Sequence, residues 1–207
     1  MDVGSSSDEL RTILERSREL GFLGPGPVGE QIAHSEAFAS AVASRANPRD
    51  VLDLGSGGGV PGLVLLERWP DVTMTLLDSS SRREAFLRHA VELLGETARC
   101  STVLGRAEEL ARTELRERFD LVVARSFGPP AVTAECATGF VAIGGWLVTA
   151  EPPDVTDRWD PGGLELLGFA AASRVAGPPA FAVMRKVAPC PDRFPRRTGI
   201  PAKRPLF

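Results

Sequence analysis

A glycine-rich turn directly after an apolar strand constrains this chain more than any other feature. The segment 51–54 is apolar apart from Asp53, and Gly55, Gly57 and Gly59 follow at alternate positions. Glycine adopts positive φ without strain, and it lets the backbone approach a ligand where a Cβ would collide. The segment therefore predicts a buried strand, a turn that cradles a nucleotide-like ligand, and a following helix.

Two classes of ligand are compatible with this turn. The spacing Asp53-x-Gly55-x-Gly57-x-Gly59 is typical of the first motif of class I methyltransferases, which use S-adenosylmethionine. Gly57-x-Gly59-x-x-Gly62 also fits the GxGxxG pattern of dinucleotide-binding proteins, which is weak on its own. An acid inside the strand, before the glycines, favours S-adenosylmethionine over a dinucleotide.

A second acid follows the next predicted strand. The segment 72–77 is apolar at most positions, and Asp78 comes directly after it, nineteen positions beyond Gly59. A carboxylate just outside the carboxyl end of the second parallel strand can accept hydrogen bonds from both hydroxyls of a ribose. Asp78 is therefore predicted to bind the ribose of the cofactor.

Length and composition limit the remaining possibilities. A chain of 207 residues, 43% apolar and 25% charged, suits one α/β domain with a small extension. No segment approaches the roughly eighteen uninterrupted apolar residues of a membrane span, and the N-terminus lacks the basic and apolar regions of a signal peptide. The three cysteines, 100, 136 and 190, are too far apart for a zinc site and odd in number. We therefore expect a cytoplasmic protein with no membrane segment and no metal.

Apolar periodicity predicts helices and strands that alternate along the chain. Helices are expected from the capping box at 6–9 to Gly21, and over 29–46, 81–95, 107–117 and 130–139. Strands are expected over 51–54, 72–77, 101–104, 119–124 and 145–150, with 164–169 and 180–186 as a closing antiparallel pair. The order predicts an α/β, Rossmann-like class I methyltransferase fold: a mostly parallel seven-stranded sheet with helices on both faces and a small N-terminal helical cap. The expected divisions are a cap at 1–46, an S-adenosylmethionine-binding domain at 47–190 and a basic C-terminal tail at 191–207.

Two further loops should join the glycine turn, because ligands of open parallel sheets lie beyond the carboxyl ends of the strands. Ala107 and Glu108 follow the third strand and are predicted near the adenine. Arg125 follows the fourth strand and is the candidate catalytic residue, able to hold the cofactor carboxylate or to steer a substrate base. Phe127, in the same loop, can stack on an extruded base or pack beneath the loop.

Charge is distributed unevenly along the chain. From Arg185 to Phe207 there are seven basic residues and one acid, a charge of +6 that leaves −9 for the rest of a chain whose net charge is −3. A basic tail on an acidic body is a footprint for a polyanion such as RNA, although a solvated tail explains it equally well.

These motifs resemble a known family, the bacterial 16S rRNA (guanine-N7) methyltransferases called RsmG or GidB. The resemblance covers roughly residues 30–207, and its most specific part is the ending Phe194-Pro-Arg-Arg-Thr-Gly-Ile-Pro-Ala-Lys-Arg-Pro-Leu206. The loops 126–130 and 151–153 depart from the usual pattern of the family. The resemblance implies a set of cofactor contacts: Gly55, Val60, Ala107, Glu108 and Arg125. It also implies basic groups near the RNA: Arg82, Arg106, Arg196 and Arg197.

The chemistry of guanine N7 agrees with the residues present. N7 carries an in-plane lone pair and no proton, so methyl transfer to it needs placement and no general base. The loop 128–131 lacks the polar and aromatic residues typical of amine methylation. The expected function is methyl transfer from S-adenosylmethionine to N7 of a guanine in 16S rRNA or the small ribosomal subunit. The alternatives are a small-molecule methyltransferase and a non-catalytic RNA-binding protein with the same fold.

His34 is a minor candidate for the pocket. Glu151 and Asp154 are explained without a metal by a Pro-Pro turn.

Overall fold

A seven-stranded sheet organises the chain, which the computed structural model describes for residues 3–152, 155 and 157–207. The order of strands across the sheet is β3-β2-β1-β4-β5-β7-β6. The first five strands are parallel, and β7 runs antiparallel to both β5 and β6. The strand bounds are β1 (Asp50–Leu54), β2 (Thr73–Asp78), β3 (Cys100–Leu104), β4 (Phe119–Ala124), β5 (Val141–Glu151), β6 (Ser173–Val175) and β7 (Ala180–Arg185). This arrangement confirms the predicted fold class.

Helices cover both faces of the sheet. Their bounds are α1 (Val3–Glu19), α2 (Val28–Val42), α3 (Gly62–Arg68), α4 (Ser81–Leu93), α5 (Ala107–Leu110), α6 (Pro130–Thr138), α7 (Pro161–Leu166) and α8 (Ile200–Lys203). Helices α1 to α4 supply one hydrophobic core, and α5 to α7 with the C-terminal segment supply the other. The central strands β1 and β4 are buried on both faces, which is why they read as nearly continuous apolar runs.

The order of strands decides where the site lies. β1 pairs with β2 on one side and with β4 on the other, so the chain reverses its direction of winding at β1. The loops that leave the carboxyl ends of β1 and β4 therefore face each other across a crevice, which is the usual ligand position of such sheets. Side chains alternate along β1, so Val51 packs in the first core while Leu52 and Leu54 pack in the second.

One predicted strand is a helix. The segment 164–169 was expected to form a strand of the closing pair, but α7 occupies Pro161–Leu166. Asp160 caps this helix through a 2.6 Å hydrogen bond that its Oδ2 accepts from the Gly163 N–H, and Pro161 stands at the first helical position, where proline is favoured. The strand that pairs with β7 lies later, at Ser173–Val175, so the total of seven strands is unchanged.

Other element bounds differ from the sequence prediction. The first helix already begins at Val3, so the predicted capping box lies inside it; serine costs little helix propensity and does not have to start a helix. The second helix ends at Val42 instead of 46, and the fifth strand begins at Val141 instead of 145. The helix predicted over 107–117 ends at Leu110, where the Thr113 hydroxyl donates to the Leu110 carbonyl and competes with helical bonding.

The C-terminal segment packs against the body. The Arg112 guanidinium donates to the carbonyls of Asp192, Arg193 and Pro195, and the Arg116 guanidinium donates to those of Cys190 and Phe194. Part of the basic charge near this end is used internally, because the ammonium of the fully buried Lys186 donates 3.0 Å hydrogen bonds to the carbonyls of Thr138 and Leu167.

Candidate active site

The glycine turn is fastened to the second strand by Asp78. Oδ2 of Asp78 accepts a 2.9 Å hydrogen bond from the Gly57 N–H, and Oδ1 accepts a 2.8 Å bond from the Ser80 N–H. The Arg83 guanidinium lies 3.8 Å from the same carboxylate, which is only 5% exposed. An ionised carboxylate offers about four acceptor positions, so the Asp78 carboxylate retains capacity for the hydroxyls of a ribose.

The three glycines of the turn adopt the conformation that the sequence predicts. Gly55, Gly57 and Gly59 have φ values of 76°, 55° and 98°. A Cβ on Gly55 would lie 2.7 Å from the Phe127 ring, and one on Gly59 would lie 2.6 Å from the Leu63 side chain. A Cβ on Gly57 would meet nothing closer than 3.7 Å, so the free space of the cradle lies at that residue. The cradle therefore fits an adenosyl ligand that rests directly on backbone.

Asp53 is buried beneath the turn and supports it. Its Oδ2 accepts a 2.9 Å hydrogen bond from the Gly62 N–H at the start of α3, while Oδ1 has no partner among the described residues. Burial raises the pKa of this carboxyl from 3.8 to about 7, against the opposing effect of the Gly62 hydrogen bond. A buried acid inside the first strand thus holds the position of the helix that follows the turn.

A cleft of about 350 Å³ extends from the turn toward the loop after β3. Gly55 and Asp78 line it together with Ala107 and Glu108, so the structure brings the predicted ribose and adenine contacts into one cavity. The Glu108 carboxylate is buried and accepts a 2.9 Å hydrogen bond from the Gly199 N–H. The C-terminal segment therefore touches the cofactor cleft, which it also lines with Ala202.

Arg125 is partly buried at the carboxyl end of β4. Its Nη2 donates to Oε1 of Gln31 in α2, while Nη1 is buried with no partner among the described residues. Burial lowers the pKa of this guanidinium, and the nearby Asp53 opposes the change. Arg125 and Val60 both line a smaller cavity of about 190 Å³ on the far side of the glycine turn. Gln31 carries no sequence signal for this contact, because the two residues are 94 positions apart.

The loop after β4 stands between two cavities. Ser126, Phe127 and Gly128 line the adenosyl cleft and also a second cavity of about 340 Å³. Ser126 adopts a φ of 56°, a left-handed conformation that is uncommon for residues other than glycine and is often found at functional sites. Phe127 therefore packs on the turn and lines both cavities.

The predicted RNA-contacting arginines fall into two groups. Arg82 and Arg197 are exposed, and the Arg106 side chain is 51% exposed near Glu108. Arg196 differs, because its guanidinium and backbone N–H donate three hydrogen bonds to the fully buried carboxylate of Glu135. A contact of the Arg196 guanidinium with RNA stays a prediction that competes with this internal pair.

The sequence model of the family described as "GidB: rRNA small subunit methyltransferase G" matches residues 30–151. A relative in Moorella thermoacetica named ribosomal RNA small subunit methyltransferase G is 36% identical over 167 residues, which cover 75% of this chain and 69% of the relative. The chain belongs to the GidB family. A relative of the same name in Chloroflexus aggregans is 34% identical, over 77% of this chain and 70% of its own length.

Solved structures show the same fold at low sequence identity. An O-methyltransferase family protein from Burkholderia thailandensis superposes with a TM-score of 0.56 at 16% identity, over 76% of this chain and 57% of the other. A variant of MtNAS in complex with S-adenosylmethionine superposes with a TM-score of 0.56 at 13% identity, over 89% of this chain and 76% of the other. These superpositions confirm the fold. Membership of the GidB family confirms the expected enzyme class, a methyltransferase with S-adenosylmethionine as its cofactor.

The described residues include neither a membrane-spanning helix nor a metal-binding cluster. Within the described residues, no helix is long and apolar enough to cross a membrane. The described part of the chain likewise holds no group of three or more His, Cys, Asp or Glu side chains placed to bind a metal. Asp154, the partner considered for Glu151 as a metal ligand, lies outside the described residues.

Proposed function

We propose that this protein transfers a methyl group from S-adenosylmethionine to N7 of a guanine in 16S rRNA of the small ribosomal subunit. One observation carries the proposal: the glycine turn, Asp78 and Glu108 border one cleft, and the loop that closes this cleft opens on its other side into a second cavity. Membership of the GidB family supports the choice of rRNA over a small molecule. Such a substrate would place the protein in the cytoplasm.

Different residues of the cleft would bind different parts of the cofactor. Asp78 would accept hydrogen bonds from the ribose hydroxyls, and Glu108 would accept one from the adenine amine. The backbone of Gly57 would lie against the ligand where no Cβ intervenes. S-adenosylmethionine supplies an electrophilic methyl group on its sulfonium, so the protein needs only to place an acceptor atom in line with it.

Exposed basic side chains would position the RNA. Arg82, Arg106 and Arg197 are exposed, and each phosphate that they neutralise would release counterions. Association should therefore weaken steeply as salt increases. A binding constant that barely changed with salt would argue for a small-molecule substrate instead.

The decisive experiment is methyl transfer to purified small subunits that lack methylation at the target. With radiolabelled S-adenosylmethionine, the wild-type protein should label 16S rRNA at one guanine, which reverse transcription after chemical cleavage at N7-methylguanine would locate. Gly57→Asp should abolish both this activity and the binding of S-adenosylhomocysteine measured by titration calorimetry. Binding of the cofactor without methylation of any subunit would support the non-catalytic alternative.

A further inference from the structure

The second cavity beside the cofactor cleft contains polar groups that the structure leaves unsatisfied. It has a volume of about 340 Å³ and is bordered by the ends of β4 and β5 and by α2. His34 and Arg125 both line this cavity, and Nε2 of His34 and Nη1 of Arg125 are buried with no hydrogen-bond partner among the described residues. Buried polar atoms are almost always hydrogen-bonded, so two unpaired ones in residues that line one cavity point to a polar ligand that bonds to them.

The two unsatisfied groups can act as donors. Nη1 belongs to a guanidinium, which only donates. Burial and the neighbouring Arg125 charge lower the pKa of His34 to about 4, so its imidazole is neutral near pH 7. A neutral imidazole with its proton on Nε2 donates one hydrogen bond, which suits a carbonyl oxygen of the ligand.

A carboxylate faces the same cavity from the end of β5. The side chain of Glu151 is only 5% exposed, and its Oε2 accepts a 2.9 Å hydrogen bond from Arg158. The Thr149 hydroxyl lies at a longer 3.4 Å from Oε1. These two contacts leave acceptor positions open on the carboxylate, which can take two parallel N–H groups.

Guanine is the base that matches these groups. Its Watson–Crick edge places the N1–H and N2–H₂ donors side by side, next to the O6 acceptor. Adenine and cytosine each present an acceptor where guanine has N1–H, and that acceptor would face the carboxylate. We propose that this cavity receives the extruded target guanine, with Glu151 accepting from N1–H and N2–H₂ and with His34 and Arg125 donating to O6.

The proposal rests on the proposed function and adds Glu151 and His34 as residues that set the specificity for the base. Phe127 lines both cavities, so a base held by Glu151 would lie next to the cofactor cleft. Extrusion of a base from the stack into such a pocket is the general solution of enzymes that modify nucleobases.

The first test is a charge-neutral, nearly isosteric substitution, Glu151→Gln. Loss of one charged hydrogen bond should lower kcat/KM for small-subunit methylation about 10- to 100-fold. The affinity for S-adenosylhomocysteine should stay within about twofold of the wild type, because Glu151 does not line the cofactor cleft. The matched control is Glu165→Gln, an exposed glutamate on α7, which should change neither quantity. Unchanged kcat/KM in Glu151→Gln would overturn the assignment.

The second test separates base recognition from catalysis and from folding. Nucleotide binding is measured by saturation-transfer NMR with the protein saturated with S-adenosylhomocysteine. The wild type should bind GMP better than IMP, which lacks the N2 amine, and better than AMP. Glu151→Gln should lose the preference for GMP over IMP. His34→Ala should weaken the binding of both GMP and IMP. Equal binding of GMP and IMP by the wild type would overturn the proposal even if small subunits are methylated. A preference for GMP that depends on Glu151, without methylation of any subunit, would support the pocket and refute the proposed function.

Discussion

The backbone N–H of Gly57 donates a 2.9 Å hydrogen bond to Oδ2 of Asp78, a residue 21 positions further along the chain. This bond joins the turn after β1 to the end of β2. The two halves of the predicted cofactor motif are therefore parts of one physical unit. A change at Asp78 should affect the position of the turn as well as the contacts to a ribose.

Substitutions at Asp78 should separate these two roles. Asp78→Ala removes the acceptors of two backbone N–H groups and of the ribose, so the affinity for S-adenosylhomocysteine should fall about 100-fold or more. Asp78→Asn keeps one oxygen acceptor and should lose only about tenfold. Titration calorimetry measures both affinities. Equal losses in the two variants would contradict the view that the carboxylate acts through several hydrogen bonds.

Gly55→Ala should destabilise the protein through two independent effects. The residue has a φ of 76°, and its new methyl group would lie 2.7 Å from the Phe127 ring. We expect the free energy of unfolding to fall by about 1–3 kcal/mol. Chemical denaturation of Gly55→Ala, Phe127→Ala and the double variant forms a cycle that isolates the steric part. If Gly55→Ala lowers the free energy of unfolding by the same amount in the Phe127→Ala background as in the wild type, the Phe127 ring does not limit this position.

The ion pair between Arg196 and Glu135 should contribute to stability. The Glu135 carboxylate is fully buried, and Arg196→Met would leave it without the cation that accompanies it. Breaking a buried pair on one side costs on the order of 3 kcal/mol. The neighbouring Arg197→Met is the matched control, because Arg197 is exposed and should change the free energy of unfolding by less than about 0.5 kcal/mol. Similar denaturation midpoints for the two variants would count against the structural role of Arg196.

Asp53 should make stability depend on pH. Burial raises its pKa from the ordinary value of 3.8 to about 7 in the folded protein, so folding disfavours the ionised form. The stability of the wild type relative to Asp53→Asn is therefore greatest below pH 4, decreases as the pH rises toward 7 and is constant above it. The full change is on the order of a few kcal/mol.

The measurement is urea denaturation of both proteins between pH 4.5 and 8. Burial lowers the pKa of His34 to about 4, which gives the opposite slope, with stability lost as the pH falls from 6.5. His34 is present in both proteins, so its effect cancels in the difference. If the difference in the free energy of unfolding between the wild type and Asp53→Asn does not vary with pH, the raised pKa of Asp53 is refuted.

The sequence alone determined the elements whose signals are local. The glycine turn, the acid inside β1 and the acid after β2 lie within 28 residues, and the backbone conformation they require follows from glycine chemistry. The bounds of β4 and α4 were predicted to within about two residues, because a buried strand is a short apolar run and an amphipathic helix has apolar residues at a period of 3.6. The segment 164–169 was assigned wrongly, since a short apolar run fits a strand or a helix and the Asp160 cap decided between them.

Only the tertiary structure decided which distant groups meet. Gln31 contacts Arg125 across 94 positions, Glu135 pairs with Arg196, and the Gly199 N–H donates to Glu108 in the cleft. His34, Arg125 and Glu151, which line one cavity, likewise come from three separate parts of the chain: α2, the loop after β4 and the end of β5. Local sequence encodes φ preferences and apolar periods, whereas these pairings depend on how helices dock on a sheet, which a list of residues does not contain.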